Sequence, residues 1–226
     1  MSIKSKSLII TVAIVAMLGG YWLSSMIQNN NDLNTQSSKE RELAEARANY
    51  SPIQGNLLSP ARKIIVPSLI KDNGNTFTID DLTGKWHFLF FGYTHCPDVC
   101  PITMGVLAQA KKIATVNNYM FPDVVFVSVD PERDKVEMLT EYVQYFDKDF
   151  IGVTGDEKLI KAFTLQMSVV YLKVQEEGSS TNSYLVDHSA ALLLLNPEGK
   201  LVAYFNPPHN AQTILKDFQT MVNLGN

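Results

Sequence analysis

Residues 124–129 read VVFVSV, a continuous β-branched run of the kind found in strands buried on both faces. A sheet built on such a strand needs helices above and below it. Residues 86–91, WHFLFF, form a second short apolar run, bounded by Gly84 and Gly92. Helical patterns alternate with the strands. Residues 136–146 set Met138, Leu139, Tyr142, Val143 and Phe146 on one face, 157–165 read as another helix, and Asn210 caps a last one with the face Ile214, Phe218 and Val222. Further strands are expected at 64–69 and 76–79, around the turn Lys71-Asp72-Asn73-Gly74, and at 150–153 and 169–174. Residues 176–183 read as a polar loop. A hairpin runs from 190–195 to 201–205 through Asn196-Pro197-Glu198-Gly199. Strands alternating with helices, closed by a hairpin and a helix, indicate a three-layer α/β domain.

The chain has 226 residues and is 46% hydrophobic, which suits one globular domain with appendages. Residues 8–27 carry no charge and have the length that spans a hydrocarbon core of ~30 Å as a helix. Lys4 and Lys6 precede them, whereas 28–32 carry no positive charge, so the N-terminus is expected in the cytoplasm and the remainder outside. A cleaved signal peptide needs paired small residues at the cleavage site, and none occurs at that spacing between 13 and 27. The reading is a retained anchor over 1–27, a polar spacer over 28–59 and a folded domain over 60–226. This places a single-pass protein in an inner membrane with its domain in the periplasm. A net charge of -4 and the lack of any basic run in the body of the chain argue against a nucleic-acid surface.

The only two cysteines lie in FFGYTHCPDVCPITM, residues 90–104. Strand, loop and helix start follow in that order, with Pro97 and Pro101 where a first helical turn tolerates proline. The positive end of the helix dipole lowers a thiol pKa below ~8.5, so Cys96 and Cys100 are both expected to be partly thiolate. If the intervening residues are helical, positions i and i+4 share a face with Cβ atoms ~6 Å apart, and both sulfurs can reach one ion. A disulfide across so short a loop adds little chain-entropy stabilisation. A single close pair in an exported protein points to a metal site or a redox dithiol. Two thiolates are too few for structural zinc; they select Cu(I), and an added imidazole suits Cu(II).

Four histidines could supply that imidazole. His87 lies within the apolar strand and reads as packed, His95 adjoins Cys96 in an undetermined direction, and His209 reads as loop surface beside Pro207 and Pro208. His188 sits where a polar loop meets a buried strand, and spacing alone leaves it a ligand or a satisfied structural histidine. Asp98 falls on a different helical face from the cysteines and reads as an N-terminal charge or a partner contact. Asp187 and His188 point to opposite sides of an extended strand. Asp130 to Asp134, around Pro131, read as a turn with capping acids, and Met104 and Met167 as core.

Three ordered motifs, FGYTHCPDVCP at 91–101, SVDPERD at 128–134 and YLVDHS at 184–189, together resemble the Sco/SenC family of membrane-anchored, thioredoxin-like copper proteins. The resemblance covers about residues 70–222. It implies that Cys96, Cys100 and His188 match the family's copper ligands, with Cu(I) or Cu(II) as cargo. It also implies assembly of the copper-A centre of cytochrome c oxidase, with that enzyme's subunit II or another copper-receiving protein as partner. The rival is a thiol-disulfide reductase in which Cys96 and Cys100 are the redox-active pair. Thioredoxins use two intervening residues and a cis-proline beside the dithiol, but no proline lies between 174 and 196. A peroxiredoxin fits worse, because the threonine expected three residues before its cysteine is Tyr93.

Overall fold

The computed structural model describes residues 3–48, 54–175 and 184–224, in two compact units, Met1–Tyr50 and Ser51–Asn226. The first unit is one helix, α1 (Ile3–Ala48). Its polar second half holds good helix formers with charges of both signs three and four residues apart. Residues 8–27, expected to cross a membrane, are helical, but their described side chains begin only at Gly20. Among the described residues no helix is long and apolar enough to cross a membrane.

The second unit runs β1 (Gly55–Lys63), β2 (Leu69–Lys71), β3 (Thr76–Phe77), a 3-10 turn (Ile79–Leu82), β4 (His87–Gly92), α2 (Val99–Val116), β5 (Asp123–Ser128), α3 (Val136–Phe146), β6 (Ile151–Thr154), α4 (Glu157–Gln166), β7 (Tyr171–Gln175), β8 (Tyr184–His188), β9 (Leu192–Leu195), β10 (Lys200–Phe205) and α5 (Ala211–Asn223). Eight strands form one sheet in the order β1-β10-β9-β4-β5-β6-β2-β3, and β7 and β8 pair apart from it. β4, β5 and β6 are parallel at its centre, while β9 lies antiparallel against β4.

Every residue of β4 is buried, and its alternating side chains divide the layers. Phe88 packs on Phe218 of α5 with ring centroids 6.0 Å apart, and Phe90 lies beside Phe126, which packs on Tyr142 of α3. α2 joins α3 and α5 on this side. Phe91 faces the opposite way, 5.4 Å from Phe163 of α4. Helices therefore cover both faces of the central sheet, as the runs at 86–91 and 124–129 require.

Edges depart from the sequence reading. The strand expected at 64–69 is absent. β1 lies before that segment, paired antiparallel to β10 with an irregular register between Leu57 and Arg62, and β2 begins only at Leu69. β1 is a mostly exposed edge strand that includes Pro60, which a strand tolerates only at an edge or a bulge, so alternation is weak there. The strand expected at 76–79 stops at Phe77, because Thr78 and Asp81 form a reciprocal capping box that starts the 3-10 turn. The strand expected at 169–174 starts at Tyr171, after Ser168 adopts a φ of 57°. The loop at 176–183 lies outside the described residues. The closing hairpin forms as expected, with Gly199 at a φ of 68° in its turn, and Asn210 caps α5 by accepting from Gln212 N and Thr213 N.

Candidate metal centre

β4 delivers the chain to the site and Gly92 ends it, paired in register with Ser128 of β5. A Cβ on Gly92 would lie 2.7 Å from Cys100 Sγ and 2.9 Å from Phe126 Cε2, so the absent side chain is what lets Cys100 settle against the strand end. α2 starts only at Val99, with Asp98 as N-cap making no side-chain cap bond. Cys100 is thus in the first helical turn, while Cys96 stands in the preceding loop, where its N–H donates to Tyr93 O at 3.2 Å. The condition for a shared helical face, that the residues between the cysteines be helical, is not met: a loop, not a helical repeat, turns Cys96 back toward Cys100.

β8 supplies the third group. His188 Nε2 lies 3.2 Å from Cys100 Sγ. One ligand atom each from Cys96, Cys100 and His188 lies within 4.8 Å of the others, and among the described residues these three make the one such group able to hold a metal ion. The imidazole packs edge-on against Phe90 and Tyr93, with centroids 6.2 and 5.9 Å away. Its Nδ1 lies 3.2 Å from Ser189 O, a contact that fixes the ring with Nε2 toward the sulfurs.

Both cysteines are free thiols, Cys96 half-buried and Cys100 buried. They are not equivalent. Hydrogen bonds from Cys100 and His188, and from the backbone at Asp98 and Cys100, hold Cys96 down at about 3 despite its partial burial. Cys100 is pushed well above the ordinary thiol range, first by its bond to Cys96 and then by burial. The expectation of two partial thiolates is corrected to one thiolate and one buried thiol sharing a proton.

The acids at 130–134 do not cap α3, whose N-cap is Lys135 with no side-chain bond. Asp134, fully buried, accepts from Thr94 N at 2.9 Å, Thr94 Oγ1 at 2.6 Å and Ser128 Oγ at 2.7 Å, pinning the loop that carries Cys96. Asp130, equally buried, accepts from Tyr184 Oη at 2.7 Å and pairs with Arg133 Nε. Arg133 stacks 3.7 Å over the Tyr184 ring and donates from Nη1 to Tyr184 O at 3.0 Å. Sequence reasoning missed the parts played by Thr94, Ser128, Arg133 and Tyr184. The available signal was a pair of acids four residues apart at the C-terminal end of a buried strand.

The remaining candidates fall outside the group. His95 Nδ1 is 3.5 Å from Asp134 Oδ1 and is exposed. His87 is buried, bonded to Lys85 O, and burial lowers its pKa. His209 is half-buried rather than surface, with Nε2 2.9 Å from Ala190 O. Asp98 and Asp187 are exposed, and Met104 and Met167 are core.

A helix-covered sheet with a dithiol at the junction of a central parallel strand and the next helix defines a thioredoxin-like protein, and solved structures share the fold. The chain belongs to the SCO1/SenC family, whose model matches residues 63–223. It is 42% identical to the Arabidopsis thaliana protein "Protein SCO1 homolog 1, mitochondrial" over 147 residues, 65% of this chain and 43% of that one, so the match spans less than half of the plant protein. A crystal structure of Arabidopsis thaliana ScoI with copper bound superposes with a TM-score of 0.63 at 38% identity, covering 69% of this chain and 96% of that one. Yeast Sco1 with copper bound gives 0.66 at 27% identity, covering 73% and 90%.

Proposed function

We propose that this chain is a copper chaperone that takes one copper ion on Cys96, Cys100 and His188 and passes it to the copper-A centre of cytochrome c oxidase subunit II or another copper-receiving protein. The observation that carries the reading is the convergence of two sulfurs and one imidazole nitrogen within 4.8 Å. Copper-bound relatives of the same fold support it. Two thiolates hold Cu(I), and the imidazole extends the set to Cu(II). His188 and the half-buried Cys96 lie toward solvent, so an incoming donor can replace them first and leave the buried Cys100 last. Two-electron oxidation of the paired thiolates to a disulfide, the electrons reducing a partner's disulfide to a dithiol that takes up two protons from solvent, removes both soft donors and releases the ion. Residues 8–27 would anchor the domain beside membrane-embedded recipients, with the N-terminus cytoplasmic and the domain periplasmic.

The thiol asymmetry favours a second reading. A low-pKa, half-buried Cys96 beside a buried, high-pKa Cys100 matches the attacking and resolving thiols of a disulfide reductase acting on a recipient's metal-binding cysteines. Anaerobic titration of the fully reduced full-length chain with copper against a competing chelator tests the main reading. One ion per chain, held at least tenfold less tightly as Cu(II) after His188→Ala, is expected. No retained copper, together with disulfide exchange unaffected by His188→Ala, would leave only the reductase.

A further inference from the structure

The metal ligands sit on two pieces of chain whose described strands belong to different sheets. Cys96 and Cys100 follow β4 of the main sheet, whereas His188 ends β8, which among the described residues pairs with β7 alone. A two-stranded ribbon is marginal in water and needs outside support to hold a ligand in place. The turn between β5 and α3 touches both pieces. From Asp134, bonds of 2.9 and 2.6 Å reach the main chain and hydroxyl of Thr94, two residues before Cys96. From Asp130 and Arg133, bonds of 2.7 and 3.0 Å reach the hydroxyl and carbonyl of Tyr184, at the start of the strand that ends in His188. Lys173 on β7 adds an ion pair to Glu132 of the same turn at 2.8 Å. The two acids are themselves joined, because Ser128 Oγ donates to Asp134 and accepts from Asp130 N.

We propose that this turn is a two-armed bracket: Asp130, Arg133 and Tyr184 are positioning residues for the imidazole half of the metal site, and Asp134 and Thr94 are positioning residues for the thiolate half. The proposal rests on the copper reading above. None of these residues belongs to the ligand group, so each acts by fixing where a ligand stands. The arms act on different copper states. Two sulfurs are enough to hold Cu(I), so loosening the imidazole arm costs its binding little, while Cu(II), which draws more on the imidazole, weakens. Loosening the thiolate arm weakens both.

Two conservative variants separate the arms. Tyr184→Phe removes the hydroxyl that bonds Asp130 and keeps the ring beneath Arg133; Thr94→Val removes the hydroxyl that bonds Asp134 and keeps the shape. In the full-length chain in detergent, Cu(I) affinity is read by competition with a chromophoric chelator and Cu(II) by titration and electron paramagnetic resonance. Tyr184→Phe is expected to lower Cu(II) affinity about tenfold, the lower end of the worth of one hydrogen bond to a charged group, and to broaden the Cu(II) spectrum, with Cu(I) affinity within about twofold of wild type. Thr94→Val is expected to lower both affinities about equally. In a His188→Ala background, Tyr184→Phe should change neither. Equal loss of both states in Tyr184→Phe, no loss of either, or a Tyr184→Phe effect that survives in His188→Ala overturns the bracket while leaving the copper reading in place. A wild-type chain that retains no copper in either state overturns both.

Discussion

Gly92→Ala places the sharpest demand on the geometry of the site. The added methyl would stand 2.7 Å from Cys100 Sγ and 2.9 Å from Phe126 Cε2, against an unstrained separation of roughly 3.5–4 Å. Neither neighbour has room to give, since Cys100 and Phe126 are both 0% exposed. Relief therefore requires the start of α2 to lift by about 1 Å, and overpacking of this kind costs about 1–3 kcal/mol. For a domain of this size that lowers Tm by about 2–12 °C. It also moves Cys100 beyond the ~0.5 Å within which a ligand set must be held, so copper affinity should fall about tenfold or more. Gly105→Ala is the matched control, because a Cβ there meets nothing within 4 Å and the residue lies inside α2. It should gain about 0.5–1 kcal/mol and bind copper as wild type does. Thermal unfolding and anaerobic copper titration of both variants decide the matter. A Gly92→Ala protein with wild-type Tm and affinity would refute the claim that the missing side chain seats Cys100.

Alkylation of the reduced, metal-free chain should label Cys96 alone, at a rate nearly constant from about pH 5 to 8, where an unperturbed thiol near 8.5 would gain about tenfold per unit. Peptide mapping that finds Cys100 labelled equally fast at pH 6 would contradict the asymmetry. The same shift sets a stability trend. Cys96 has a folded pKa below its unfolded one, so its contribution is full above the unfolded thiol value and is lost as pH falls toward about 3. Cys100, shifted up, opposes it once pH rises past the unfolded value, so reduced-state Tm should peak near the ordinary thiol pKa; Cys96→Ser should flatten the acid side of that curve. Asp217→Ala should cost about 2–4 kcal/mol, because Asp217 Oδ2 accepts from Gln54 N at 2.7 Å and Gly55 N at 2.8 Å and two amides lose a charged partner. Copper stoichiometry should be unchanged, and a Tm within about 1 °C of wild type would count against Asp217 holding the start of β1.

The centre of the fold was legible because its signals are local and strong. Residues 86–91 and 124–129 are short, β-branched or aromatic and bounded by turn signals, which reads as buried strands, and strands buried on both faces need helices above and below. The faces of α3 and α5 follow from spacing, and the cap at Asn210 from side-chain chemistry. β1 was not legible, since an exposed edge strand containing a proline carries little alternation. The 3-10 turn after Phe77 hid in a pattern that continues the strand on paper, until Thr78 and Asp81 cap each other.

The same division runs through the metal centre. Chain composition supplied two cysteines four residues apart at a strand-to-helix junction and four histidines, and soft sulfur with imidazole points to copper; it was the resemblance to a family, not spacing, that singled out His188 among the four. Tertiary structure decided everything that depends on contacts between distant segments. It set Cys96 in a loop and Cys100 in a helix, split their proton affinities in opposite directions, and brought His188 to within 3.2 Å of a residue 88 positions away. It also turned two acids that looked like helix caps into the support of both halves of the site. Spacing can say which groups share a helical face, but burial and hydrogen bonding across the sheet determine which atom holds a proton and which side chain holds another still.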